Sequence, residues 1–185
     1  MAGFPVVLDA CVLLPMPTCD LLLRIAEAKE YRPLWSKEIL EEVQRNLQTK
    51  FGLTPDQSSW QVSNMQRAFP DAQIQGHDSL IEAMTNHPKD RHVLAAAVRA
   101  NADLIVTFNL KDFPAESLKP YDIKAVHPDV FLCDQFDLNL PKVKHIAEEI
   151  VSAMENNPIT HPQYVKGLRK MGLTGFAEAL ESNGF

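Results

Sequence analysis

The sequence predicts an α/β protein: a central parallel sheet with helices on both faces, followed by a C-terminal all-helical appendage. Two observations carry this. Short apolar, β-branched runs alternate with amphipathic segments along most of the chain, the pattern of parallel strands joined by helical crossovers. Beyond about Phe136 the strand-like runs stop and helical spacing alone remains. The expected division is therefore residues 1–136 and residues 137–185. A chain of 185 residues, 45% hydrophobic and 23% charged, buries a core without disulfide staples.

The elements follow in order. Phe4-Pro5-Val6-Val7-Leu8 is a buried strand ending at Asp9. After Pro15 and Pro17, residues 20–28 form an amphipathic helix, and residues 32–35 are extended. Ser36 is placed to cap a helix over residues 37–48, whose apolar stripe is Ile39, Leu40, Val43 and Leu47. Thr54-Pro55-Asp56-Gln57 reads as a capped start of a helix running to about Phe69. Residues 72–75 make a short strand and residues 78–85 a helix. His87-Pro88-Lys89-Asp90 opens another helix, carrying Val93, Leu94, Ala97 and Val98. Residues 104–107 and 122–126 are further strands. In the appendage, helices are expected over residues 140–156, 161–170 and 174–181.

The formal net charge of −6 argues against a protein that coats nucleic acid with its whole surface, but is compatible with an enzyme whose acids bind cations. Cys11, Cys19 and Cys133 have no metal-ligand spacing, and the odd count suggests a reducing compartment. The first residues lack a basic leader, and no run approaches the roughly 20 apolar residues of a membrane span, so a cytoplasmic protein is expected.

Four acids, Asp9, Glu42, Asp90 and Asp112, each lie where a strand or turn meets a helix. Each alone has an ordinary explanation. Asp9 can cap the turn after the first strand. Glu42 borders the apolar stripe while Glu41 lies farther out, and charged helix faces are usually solvated. Asp90 in a first helical turn suits the dipole. Asp112 precedes Phe113-Pro114 and suits a turn. Together, carboxylates at strand ends of a parallel sheet suit a hard divalent ion with several waters, which activates water against a phosphodiester.

Four stretches in order resemble the PIN-domain ribonucleases: residues 6–15 (VVLDACVLLP), 34–47 (LWSKEILEEVQRNL), 90–97 (DRHVLAAA) and 102–114 (ADLIVTFNLKDFP). Within that family the resemblance is to VapC-like toxins of bacterial toxin–antitoxin pairs, with a C-terminal helical extension. It implies a PIN-like three-layer α/β/α fold. It also implies that Asp9, Glu42, Asp90 and Asp112 are the catalytic, metal-binding acids, with one or two Mg²⁺ or Mn²⁺ ions and an RNA substrate. Thr107 and Asn109 match a polar pair beside the site, Asn109 standing where some relatives carry an acid. A small antitoxin and a homodimer are implied as partners, with no membrane.

Arg91, Lys111 and Lys89 flank the acids and suit phosphate contacts. Lys166, Arg169 and Lys170 have no acid between them in sequence and form a candidate RNA-facing patch. The Cys11 thiol is expected to pack rather than react. His87, His92, His127, His145 and His161 show no HxxxH or HxxEH spacing, although His92 is near enough to Asp90 in sequence to touch phosphate. Trp35 and Trp60 are expected in packing roles. The rival readings are a non-catalytic RNA-binding or RNA-processing protein on the same fold, and a structure-specific DNA nuclease. Chelator sensitivity separates the first. The lack of a long insertion between Glu42 and Asp90 disfavours the second.

Overall fold

The computed structural model describes residues 3–185. Five parallel strands, β1 (Pro5–Leu8), β2 (Arg32–Ser36), β3 (Gln73–Ile74), β4 (Leu104–Val106) and β5 (Lys124–Val126), lie in the order β3-β2-β1-β4-β5. β1 is central: Val7 pairs with Leu34 on one side and Ile105 on the other. Val6, Val7 and Leu8 are wholly buried, which is why this strand reads as an unbroken apolar run rather than an alternating one.

The helices up to β5 are α1 (Ala10–Leu13), α2 (Met16–Glu27), α3 (Lys37–Phe51), α4 (Pro55–Ala68), α5 (Arg91–Arg99) and α6 (Ala115–Leu118). From β1 the chain steps outward through β2 to β3, then returns past β1 to β4 and β5. α2 and α3 pack against β2, α5 against β1, β2 and β4, and α6 against β5. The strand order reverses between β1 and β4, so a crevice opens beyond their carboxyl ends, where Asp9 and Thr107 follow.

The local signals for α3 and α4 hold. The Ile39 N–H donates to Ser36 Oγ at 3.3 Å, and α3 ends on Gly52 at φ 70°. Thr54 and Gln57 form a reciprocal capping box at the start of α4. Other expectations are corrected. Residues 78–85 do not make an α-helix. A 3₁₀ turn over Asp78–Ala83 stands there, because so short a segment with half-buried Leu80 and Ile81 has no apolar stripe to extend. The helix expected from His87 is a 3₁₀ turn, Pro88–Asp90, and α5 begins only at Arg91, so Asp90 is an N-cap residue. Trp35 is fully buried, but Trp60 is 68% exposed: the buried face of α4 is Ser58, Val62 and Met65, and Trp60 points away from it.

The C-terminal helices are α7 (Pro128–Leu138), α8 (Leu140–Ser152), α9 (His161–Lys170) and α10 (Thr174–Ser182). The expected junction at 136 falls inside α7, whose start signal is His127 accepting the Asp129 N–H at 3.2 Å with Pro128 at the first helical position. α8 stops at Ser152 instead of reaching residue 156, with Ala153 as its C-cap. These helices share one core with the sheet. Phe131 of α7 packs edge-on against Tyr31 at 5.0 Å, and α8 docks on α2 with Lys142 Nζ 3.3 Å from Glu30 Oε1. No helix among the described residues is long and apolar enough to cross a membrane.

Candidate active site

The register that pairs Leu8 with Val106 sets Asp9 beside Thr107, the residues that follow each strand. Asp9 occupies the N-cap of α1, yet its carboxylate makes no capping bond. It turns to the neighbouring strand: the Thr107 hydroxyl donates to Oδ2 at 2.6 Å and the Cys11 thiol donates to the same oxygen at 3.1 Å. Each donor is itself anchored. Thr107 Oγ1 accepts the Asn109 N–H at 2.9 Å, and Cys11 Sγ accepts the Phe108 N–H at 3.2 Å. Burial, and then the charge of Asp9, push the Cys11 thiol up to about 12, so it is a protonated donor rather than a nucleophile. Asp9 is thus a buried carboxylate held by a hydroxyl and a thiol, neither of which carries positive charge.

Asp90 repeats the motif at α5, an N-cap residue whose side chain does not cap. Burial raises its carboxyl from the ordinary 3.8 to about 6, and the charges of Asp9, Asp112 and Glu42 add to the rise against the opposing His87. Burial is the larger cause, and the charges of acids from three other segments add to it. Asp112 ends a 3₁₀ turn, Leu110–Asp112, and its backbone carbonyl accepts the His87 N–H at 3.1 Å. That bond ties the loop after β4 to the approach to α5. His87 Nδ1 comes within 3.4 Å of Asp90 Oδ2, and ligand atoms of His87, Asp90 and Asp112 lie within 4.8 Å of one another.

Glu42 and Glu41 diverge on α3. Glu41 is exposed and pairs with Lys37 at 3.3 Å, whereas Glu42 is half-buried and its charge acts on both Asp90 and His92. Burial lowers the His92 imidazole despite the pull of Glu42, Asp9 and Glu38.

Glu42, Asp90 and Asp112 open onto a cleft of about 780 Å³, walled also by Glu38, Glu41, Arg45 and Asn46 of α3, His87, Asn109 and Lys111, whereas Asp9 is buried and is not a lining residue. Lys89 and His92 also line it. Asn109 is exposed and lines the cleft, whereas Thr107 is fully buried and is not a lining residue. Arg91 is not a lining residue: its Nε donates to the Asn86 carbonyl at 3.4 Å. Nor do Lys166, Arg169 and Lys170 line the cleft. Arg169 is committed to Glu181 of α10, with Nη1 3.1 Å from Oε1, an acid the fold brings in from outside the basic stretch.

Sequence reasoning missed His87 as a neighbour of the acids, because its three-residue offset from Asp90 becomes a contact only through the 3₁₀ turn. It also missed Cys11 as a donor and Arg45 and Asn46 as cleft walls. Among the described residues, the one ion-pair distance any of the four acids reaches is that of Asp90 to His87. An all-oxygen set with unbalanced negative charge fits a hard divalent ion.

A family model for the PIN domain matches residues 5–111, and one for the VapC50 C-terminal domain matches residues 128–182, from the first residue of α7 to the last of α10. Over 85 residues, 46% of this chain, the sequence is 56% identical to the Mycobacterium tuberculosis (strain ATCC 25618 / H37Rv) protein named "Putative ribonuclease VapC50". The chain spans half the length of that relative. No solved structure matches it.

Proposed function

The chain belongs to the PIN-domain family, and from that premise we propose that it is a metal-dependent endoribonuclease, the toxin of a toxin–antitoxin pair acting in the cytoplasm. The observation that supports this reading is the cleft lined together by Glu42, Asp90 and Asp112, with Asp9 near enough for its charge to act on Asp90. The reaction is phosphodiester hydrolysis of RNA, leaving a 5′-phosphate and a 3′-hydroxyl.

Asp9, Glu42, Asp90 and Asp112 would hold one or two Mg²⁺ or Mn²⁺ ions. When bound, such an ion supplies Lewis acidity, lowering the pKa of water and offsetting charge on the phosphate. The chain's own groups do the rest. Thr107 and Cys11 fix the Asp9 carboxylate by Oδ2. The Asp90 carboxyl, raised to about 6 by burial and then by its acidic neighbours, would be favoured in its charged form by a bound cation. Lys89 and Lys111 at the cleft supply phosphate contacts, and Asn109 offers its amide to the RNA. Arg91 braces the Asn86 loop and meets phosphate only at the edge. Lys166 and Lys170, with Arg169 partly neutralised, extend the contact surface along the tail. The catalytic unit is the sheet domain up to β5, and the helical extension starts with α7. A small antitoxin is the natural inhibitor, an Arg side chain entering among the acids as a charge-assisted partner. A homodimer is the proposed assembly.

The test is cleavage of matched RNA and DNA oligonucleotides with Mn²⁺ and with chelator. RNA alone is cut, chelator abolishes the cut, and Asp9→Asn reduces it to background with native circular dichroism. Undiminished cleavage by Asp9→Asn removes Asp9 from the mechanism and with it this reading.

A further inference from the structure

Beside the cleft lies a second set of ligand-type side chains that the four acids do not include. His77 precedes the 3₁₀ turn Asp78–Ala83, its side chain is 4% exposed, and neither ring nitrogen has a hydrogen-bond partner. Glu38 Oε2, in the first turn of α3, is likewise buried and unpartnered. The two meet: His77 Nε2 lies 3.2 Å from Glu38 Oε2, near enough for an ion pair but out of line for a hydrogen bond. Buried polar atoms left in this way call for a further partner such as an ion. Asp78 offers one more ligand, and one ligand atom from each of Glu38, His77 and Asp78 lies within 4.8 Å of the others. Two ligand atoms each about 2.1 Å from a tetrahedral zinc stand about 3.4 Å apart, close to the separation of His77 and Glu38.

We infer that Glu38, His77 and Asp78 bind a borderline divalent ion of the Zn²⁺ class, separate from the four-acid set, and that this ion fastens the segment before α5 onto α3. The donor chemistry sets the class. An imidazole with two carboxylates suits Zn²⁺, Co²⁺ or Ni²⁺, whereas Mg²⁺ favours oxygen ligands alone. The buried imidazole supplies the nitrogen, and exposed Asp78 leaves the ion a path from solvent. Position supplies the consequence. Glu38 and Glu42 are one helical turn apart on the same face of α3, and both wall the cleft. Holding Glu38 therefore holds the helix face that presents Glu42. The other compact set, His87 with Asp90 and Asp112, belongs to the cleft already described.

The test is a Zn²⁺ titration of the full ¹⁵N-labelled chain in saturating Mg²⁺, followed by imidazole ¹H–¹⁵N correlation spectra. One equivalent of Zn²⁺ shifts the His77 ring resonances and slows amide exchange over residues 77–83. Glu38→Gln, a change at a partly exposed position, loses both effects, while Asp90→Asn keeps them. If Zn²⁺ moves only the His87 resonances, or wild type and Glu38→Gln titrate alike, His77 and Glu38 are an ordinary buried contact and the site does not exist. Neither result depends on RNA cleavage, so this inference and the nuclease reading fail separately.

Discussion

One hydroxyl governs how the buried Asp9 carboxylate is held. Thr107 gives its single O–H to Asp9 and takes the Asn109 N–H, so it links the end of β1 to the loop after β4. Thr107→Val preserves shape and removes both bonds. It leaves a buried carboxylate with the weak thiol of Cys11 as its remaining side-chain donor and a backbone N–H without its acceptor. The expected cost is about 1–3 kcal/mol of stability, read by urea unfolding, with Thr107→Ser largely restoring it. A Thr107→Val protein as stable as wild type in metal-free buffer rules out the hydroxyl as the anchor. The neighbouring Cys11 thiol packs rather than reacts, as its residue type suggested, and burial keeps it protonated as a donor to Asp9.

Among the elements, α10 depends on a residue far away in sequence. Leu173 occupies its N-cap and offers no side-chain bond. The free N–H groups of Gly175 and Phe176 instead donate to Asp129 Oδ2 and Oδ1 of α7, both at 2.9 Å. A carboxylate is well placed there, since helix N-termini carry partial positive charge. The approach is close: a Cβ on Gly175 would stand 3.1 Å from Asp129 Oδ2 and 3.3 Å from Cys133 Sγ, so a larger residue would need those side chains to give by a few tenths of an ångström. Asp129→Ala is expected to cost about 1.5–3 kcal/mol, the range for hydrogen bonds to a charged group. Because α7 and the sheet share one core through Phe131 and Tyr31, the loss appears as a lower midpoint of a single transition. A separate early melt of the tail, with the main midpoint unmoved, contradicts that coupling.

For the molecule as a whole, the crowding of acids couples stability to pH and to metal. The Asp90 carboxyl titrates at about 6 in the folded chain against an ordinary 3.8. The folded state therefore binds more protons than the unfolded state between those values. This contribution to stability is fully present below about 4 and is lost as pH rises through about 6. In chelator, wild type should lose melting temperature over that interval relative to Asp90→Asn, which has no such group. Mn²⁺ should flatten the difference and raise the wild-type melt, because it binds the folded state. Parallel pH profiles for the two proteins in chelator refute the crowding.

The sequence by itself determined the elements whose signals are local. The β1 run, the Ser36 and Thr54 caps and the helical repeat of α9 each act within a few residues, where spacing and steric preference suffice. It also carried the four acids, through motifs recognisable in order. Tertiary structure decided what depends on partners distant in the chain. It moved Asp90 from a helical turn to a free-sided N-cap, gave Arg169 its Glu181, left Trp60 in solvent, and brought His87 to Asp112 and His77 to Glu38. It also ran α7 across the expected junction, since Phe131 packs against Tyr31 and Phe4, and Phe136 against Phe176. Charge and burial at a site are sums over neighbours. Only folding says which neighbours those are.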